Sequence, residues 1–174
     1  MERVPYKATT GALAYAALHL PVAILLDNVR SMYNVGAFFR TADGAGIERL
    51  LLSGITARPP QSAIHKTALG AEDRVPWESI TDAAVAVDQL RAREYEIAAI
   101  ETSALAVDLF AWQPRFPVCV LFGHEVDGLP VDLLAACDTH VRIPMLGFKH
   151  SLNVASAGAI VMYELLRKYR CLHE

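Results

Sequence analysis

The chain has 174 residues, 53% of them apolar, with a formal net charge of −3. That length makes one ordinary domain with a full core and leaves no room for a second of usual size, and no apolar run approaches the roughly 20 residues of a membrane-spanning helix. The acidic balance excludes a protein that coats nucleic acid through bulk charge, so any nucleic-acid surface must be a local basic patch.

Cys119, Cys137 and Cys171 are odd in number, far apart and without a C-x-x-C pair. They suggest neither a disulfide framework nor a zinc site, and a reducing cytoplasm fits them best. At the N-terminus, Glu2 and Pro21 bracket a short apolar patch, and no signal peptide is expected there.

In chain order, VAILLD (22–27) is a continuous apolar run of strand length, as in a strand covered on both faces. A helix is expected over 34–46, then a strand, RLLLSG (49–54). Residues 55–79, rich in proline and glycine, read as a long loop with at most one short helix. TDAAVAVDQLRARE (81–94) has helical spacing with Thr81 as its cap, and YEIAAIE (95–101) reads as a strand. A second buried strand, FPVCVLFG (116–123), precedes a short helix with Pro130 near its start. HVRIP (140–144) is a last strand, and 151–170 form a C-terminal helix with Lys168 and Arg170 near the negative end of its dipole. Alternation of this kind predicts an α/β domain, a mostly parallel sheet flanked by helices.

On the 34–46 helix, Val35, Phe38, Phe39 and Ala42 form the apolar stripe that must face the sheet. Arg40 lies elsewhere, between Gly36 and Gly44. Three glycines in one short helix cost roughly 1 kcal/mol each relative to alanine, and close approach of another backbone or of a ligand is the usual compensation. The plain alternative is a solvated face on which Arg40 pairs with Asp43.

Two further stretches follow buried strands, where open α/β sheets bind ligands. FGHEVDGLP (122–130) places Gly123, His124 and Glu125 beyond one strand. IPMLGFKHSLN (143–153) places Ser151 and Asn153 at the start of the C-terminal helix, where either could be a plain N-cap. The turn after the first strand, NVRSMYN, lacks the glycine-rich pattern of dinucleotide-binding folds. Met145, Met162, Trp77 and Trp112 read as packing residues.

Taken in order, NVRSMYNVGAFFRTADGAG, VLFGHEVDGLP and IPMLGFKHSLNVASAGAIVMYE resemble the three motifs of the SpoU (TrmH) branch of the SPOUT RNA methyltransferases, over about residues 22–169. The resemblance implies a parallel-sheet α/β domain with a deep C-terminal trefoil knot, a feature that general fold rules would not suggest. It implies S-adenosyl-L-methionine as cofactor, tRNA or rRNA as partner, a homodimer whose active site borrows from both subunits, and methyl transfer to a ribose 2′-hydroxyl. Neither a metal nor a membrane is part of that expectation. The motif positions assign Asn34, Arg40, Glu125, Ser151 and Asn153 to the catalytic site. Thr102, Gly123, Ile143, Met145 and Leu152 fall where relatives hold the adenosine through backbone groups. Arg30, Lys66, Arg74, Lys149 and His150, in loops around the motifs, are candidates for phosphate contacts. The glycine-flanked face would leave room beside Arg40 for a ribose-phosphate backbone or a partner subunit. Only about twenty residues precede the first strand, so a single catalytic domain (1–174) with a short N-terminal arm and no separate RNA-binding domain is expected.

Overall fold

The alternation becomes one seven-stranded, all-parallel sheet in this computed structural model, which describes residues 19–173. Positions 1–18 of the expected N-terminal arm lie outside the described residues. In chain order the elements are β1 (Leu20–Asp27), α1 (Met32–Ala45), β2 (Ile47–Ser53), α2 (Ser62–Ala68), a 3₁₀ turn (Ala71–Asp73), β3 (Trp77–Ile80), α3 (Ala83–Arg91), β4 (Glu96–Ile100), β5 (Val107–Asp108), β6 (Val118–Phe122), α4 (Val131–Ala135), β7 (Thr139–Arg142) and α5 (Val154–His173). The strands lie side by side in the order β3-β2-β1-β6-β4-β7-β5.

Both faces of the sheet are covered, and the two-residue period of the strands divides the core. Val22, Ile24 and Leu26 of β1, with Val118, Val120 and Phe122 of β6, pack with α1 and α5. Ala23 and Leu25, with Cys119 and Leu121, pack with α3 and α4. The expected stripe of α1 is fully buried at Val35, Phe38, Phe39 and Ala42. Phe38 meets Phe122 edge-on at 5.1 Å between centroids, and Phe39 meets Trp77 at 6.5 Å. Trp112 is buried and donates through Nε1 to Glu96, so both tryptophans are packing residues. Met162 is core, whereas Met145 is only half-buried.

Several local expectations are corrected. The 55–79 loop holds its one short helix, α2, but ends in strand β3, too short and too polar to show an alternating pattern. β5, two residues long, was equally invisible. Asp82 rather than Thr81 caps α3, its carboxylate accepting from Ala84 N at 2.8 Å. Lys168 does not serve the dipole from solvent: it is buried, donates to the carbonyls of Phe110 and Trp112, and pairs with Glu164. The three cysteines are unpaired.

At the β7 edge the chain doubles around itself. Ile100 at the end of β4 and Val107 at the start of β5 both stand level with Val141, one on each side of β7. Glu101 N donates to Val141 O, and Leu109 N to Arg142 O. Residues 101–106 thus arch from one flank of β7 to the other, and the chain leaving β7 departs between the feet of that arch before forming α5.

α5 seats on α1 through a residue without a side chain. A Cβ at Gly158 would overlap the ring of Phe38, itself buried against Phe122. Gly158→Ala is expected to lower unfolding stability by about 1–3 kcal/mol through overpacking, measured by urea denaturation. Gly147→Ala, where a Cβ meets open space, should leave the transition unchanged.

Candidate active site

The C-terminal ends of β4, β6 and β7 open into a cavity of ≈ 630 Å³. All five residues expected to hold a cofactor, Thr102, Gly123, Ile143, Met145 and Leu152, line it. Ile143 and Met145 come from the loop after β7, which corrects the reading of Met145 as core: it faces the cavity. Glu125, His150, Ser151 and Asn153 also line the wall. Gly123 is required by the loop itself, since a Cβ would run into the backbone of Gly128 across the His124–Gly128 bridge.

A chain of hydrogen bonds beside the cavity joins the three sequence motifs. Glu125 Oε2 accepts from Arg30 N and Oε1 from Ser31 N, both at 3.0 Å, at the corner between β1 and α1. Oε1 also accepts from Asn34 Nδ2 at 3.0 Å. Asn34 Oδ1 in turn accepts from Asn153 Nδ2 at 3.1 Å. Asn153 Oδ1 then accepts from Ala155 N at 2.9 Å and Ser156 N at 3.3 Å, the free amides at the start of α5. Asn153 is therefore the N-cap and also a cross-link, whereas Ser151 is exposed and caps nothing. Burial acts to raise the Glu125 pKa, but the donated N–H groups of Arg30, Ser31 and Asn34 outweigh it and hold the carboxyl below its ordinary range.

Arg40 is exposed on α1, and no described residue pairs with it; the pair with Asp43 does not form. It does not line the cavity of its own chain. The glycines around it have causes within the chain, which corrects the expected open face. A Cβ at Gly36 would overlap the Ile64 carbonyl and Thr67 of α2, and Thr67 Oγ1 donates to Tyr33 O at 3.0 Å. At Gly44, a Cβ would stand 3.0 Å from Tyr163 Oη. Gly46 ends the helix with φ 70°, the left-handed conformation for which glycine is suited. The close approach inferred from the glycines is real, but what approaches Gly36 is α2.

Among the phosphate candidates, His150 lines the cavity and Lys149 is exposed next to it. Arg30 is exposed and contributes its backbone N–H to Glu125. Lys66, on α2, and Arg74, after the 3₁₀ turn, are exposed but stand outside the cavity lining. Glu101 and Ser103, not singled out in the sequence, also line the cavity, as does His124, expected beyond the strand end. Glu101 carries the same signal as Gly123, the first position beyond a buried strand, and could have been found by it. His124 uses its Nδ1 to accept from Val126 N and Asp127 N at 3.2 and 3.1 Å, bracing the loop after β6.

Known proteins are similar to this chain in sequence and fold. A Staphylococcus epidermidis protein named for the TrmH family of tRNA/rRNA methyltransferases is 30% identical over 151 residues, 87% of this chain and 60% of its own. The AdoMet-bound structure of an rRNA methyltransferase from Sinorhizobium meliloti matches with a TM-score of 0.79 and 30% identity, over 87% of this chain and 59% of that one. A structure described by its 2-OH methylation of C/U34 on tRNA matches with a TM-score of 0.74 and 26% identity, over 86% of this chain and 97% of that one. The chain spans 59% to 60% of the length of the first curated relatives it matches. The model of the SpoU rRNA Methylase family matches residues 21–163, and the chain belongs to that family.

Proposed function

We propose that the chain is an S-adenosyl-L-methionine-dependent methyltransferase acting on a ribose 2′-hydroxyl of tRNA or rRNA, as a cytoplasmic homodimer. One observation carries the reading: the second and third motifs meet in one strand-end cavity, and the Glu125–Asn34–Asn153 relay ties the first motif to them. The matched structure with bound AdoMet supports the cofactor, and the one named for 2-OH methylation supports the acceptor. No helix among the described residues is long and apolar enough to cross a membrane. The arch of residues 101–106 around the end of β7 supports the threaded C-terminal segment that a trefoil knot requires.

The residues present suit the cofactor. Ile143, Met145, Leu129 and Leu152 supply apolar wall for an adenine, and the loop backbones at Thr102 and Gly123 supply hydrogen-bonding groups at its rim. When bound, S-adenosyl-L-methionine supplies an electrophilic methyl on a sulfonium sulfur. The chain must hold the acceptor oxygen in line with that methyl and take up the hydroxyl proton. Asn34, Glu125, Ser151 and Asn153 hold Arg40, the cofactor loops and the ribose in register. Arg40 either accepts the proton, against its ordinary pKa above about 12, or stays a cation that stabilises developing alkoxide and grips a phosphate. Because Arg40 does not reach its own chain's cavity, we assign it to the cavity of the second protomer. Within the catalytic domain, Arg30, Lys149 and His150 near the cavity and Lys66 and Arg74 on the flank are the candidate RNA contacts, beside the N-terminal arm and the second subunit.

Methyl transfer from labelled cofactor to unmodified tRNA and rRNA, followed by nucleoside mass spectrometry, tests the reading. The expected product is a 2′-O-methylnucleoside, reduced at least about 100-fold in Arg40→Ala. A methylated base would overturn the ribose assignment. Cofactor binding with no transfer to either RNA would favour a non-catalytic RNA-binding protein on the same fold. Arg40→Lys separates the two roles of the arginine: turnover largely kept, with weaker RNA binding, is expected for the electrostatic role and counts against the base.

The relay also has a pH signature. The folded-state pKa of Glu125 is below its unfolded value, so its stabilisation is complete above the ordinary carboxylate pKa of about 4.3. It is lost as pH falls through the lowered folded value. Glu125→Gln, which turns an amide toward backbone donors, should cost about 1 kcal/mol at pH 7, allowing for partial exposure. In denaturant melts that gap should close as the pH drops below about 4.

A further inference from the structure

Glu101 is the first residue beyond β4, half-buried, with its side chain in the cavity wall. Its Oε1 accepts from Thr102 N at 2.9 Å, which anchors the carboxylate. Its Oε2 takes no hydrogen bond and no ion pair from any described residue. Instead it lies over the bare Cα of Gly128, where a Cβ would stand only 2.5 Å away. No buried side-chain oxygen among the described residues lacks a partner, so the unpartnered Oε2 is accessible to solvent, on a residue that lines the cavity.

An ionised carboxylate only accepts hydrogen bonds, so whatever fills the space beside Oε2 must bring donors. A sulfonium nucleoside carries two kinds, the vicinal ribose hydroxyls and the ammonium of its amino-acid tail. Glu101 adjoins Thr102 on its own loop and Gly128 on the loop after β6, the two loops expected to hold the nucleoside. Both lie at the strand ends. A carboxylate beyond a strand end paired with ribose hydroxyls is a recurrent solution in open α/β nucleotide sites.

We propose that Glu101 accepts hydrogen bonds from the ribose hydroxyls of the adenosine moiety, making the cavity selective for ribonucleosides over their deoxy counterparts. The proposal rests on the reading that the cavity holds S-adenosyl-L-methionine. It assigns to a side chain a part of cofactor recognition that would otherwise fall to the loop backbones.

Calorimetric titration of 5′-methylthioadenosine and its 2′-deoxy and 3′-deoxy counterparts into wild type and Glu101→Gln tests it without turnover. The wild type should bind the ribonucleoside about tenfold or more tightly than at least one deoxy compound. In Glu101→Gln, the preference should shrink to about threefold or less. An unchanged preference in the variant overturns the assignment. So does equal binding of 5′-methylthioadenosine by wild type and variant accompanied by weaker S-adenosylhomocysteine binding in the variant, which would put the ammonium beside Oε2. Failure of the wild type to bind S-adenosylhomocysteine at all would overturn the cofactor reading together with this one. Gln is nearly isosteric with Glu, and an unchanged melting temperature shows that lost selectivity does not come from unfolding.

Discussion

Everything near the cavity depends on one carboxylate held by donors that belong to other parts of the chain. Glu125 sits after β6, yet its oxygens accept the first free amides of the β1–α1 corner and the amide of Asn34. Through Asn34 the same contact passes to Asn153 and so to the opening amides of α5. Each bond alone contributes on the order of 1 kcal/mol, but together they fix the relative positions of three segments far apart in sequence. The relay uses backbone amides outside the regular ladders, those of Arg30 and Ser31 just before α1 and those of Ala155 and Ser156 in the first turn of α5. Local folding therefore supplies the donors, and the tertiary arrangement supplies the acceptor.

The relay divides the work of the fold. Apolar packing on both faces of the sheet sets where the strands lie and has little to say about the loops at their ends. Polar contacts of the loops then shape the cavity: Glu125 with the corner, His124 with its own turn, Glu101 with Thr102. Partly exposed hydrogen bonds of this sort are weaker than core packing, as expected of loops that must admit a ligand. α2 has a related task. By lying against Gly36 and accepting no side chain there, it buttresses the first turns of α1, from which Asn34 projects.

The strongly apolar strands and the long amphipathic helices were legible in the sequence because burial on both faces leaves continuous runs and helical stripes. The stripe of α1 was read residue for residue. β3 and β5 were not legible, since edge strands of four and two residues carry no periodicity that separates them from loop. The site was legible as a set of positions but not as a network. That Asn153 both caps α5 and reaches Asn34 is a tertiary fact; capping alone predicts the same residue type. The glycines of α1 show the converse. Their helix-propensity cost pointed correctly to a close neighbour, but composition cannot say whether that neighbour is a ligand, another subunit or a helix two elements later in the same chain.

The arch over β7 affects how the molecule comes into being. β7 lies between β4 and β5, yet both are made before it, so the sheet cannot be completed in the order of synthesis. Before β7 arrives β5 has no strand to pair with, so both join the β4 flank only once the last third of the chain is made, and contacts of such sequence separation are slow to close. The wall supplied by Ile143, Met145 and Leu152 and the Asn153 end of the relay belong to that late segment. Before it docks, the rest of the sheet can exist with only half a cavity. A ligand that touches both halves would act as a latch on the final step, slowing the escape of the C-terminal segment far more than it alters the sheet it rests on.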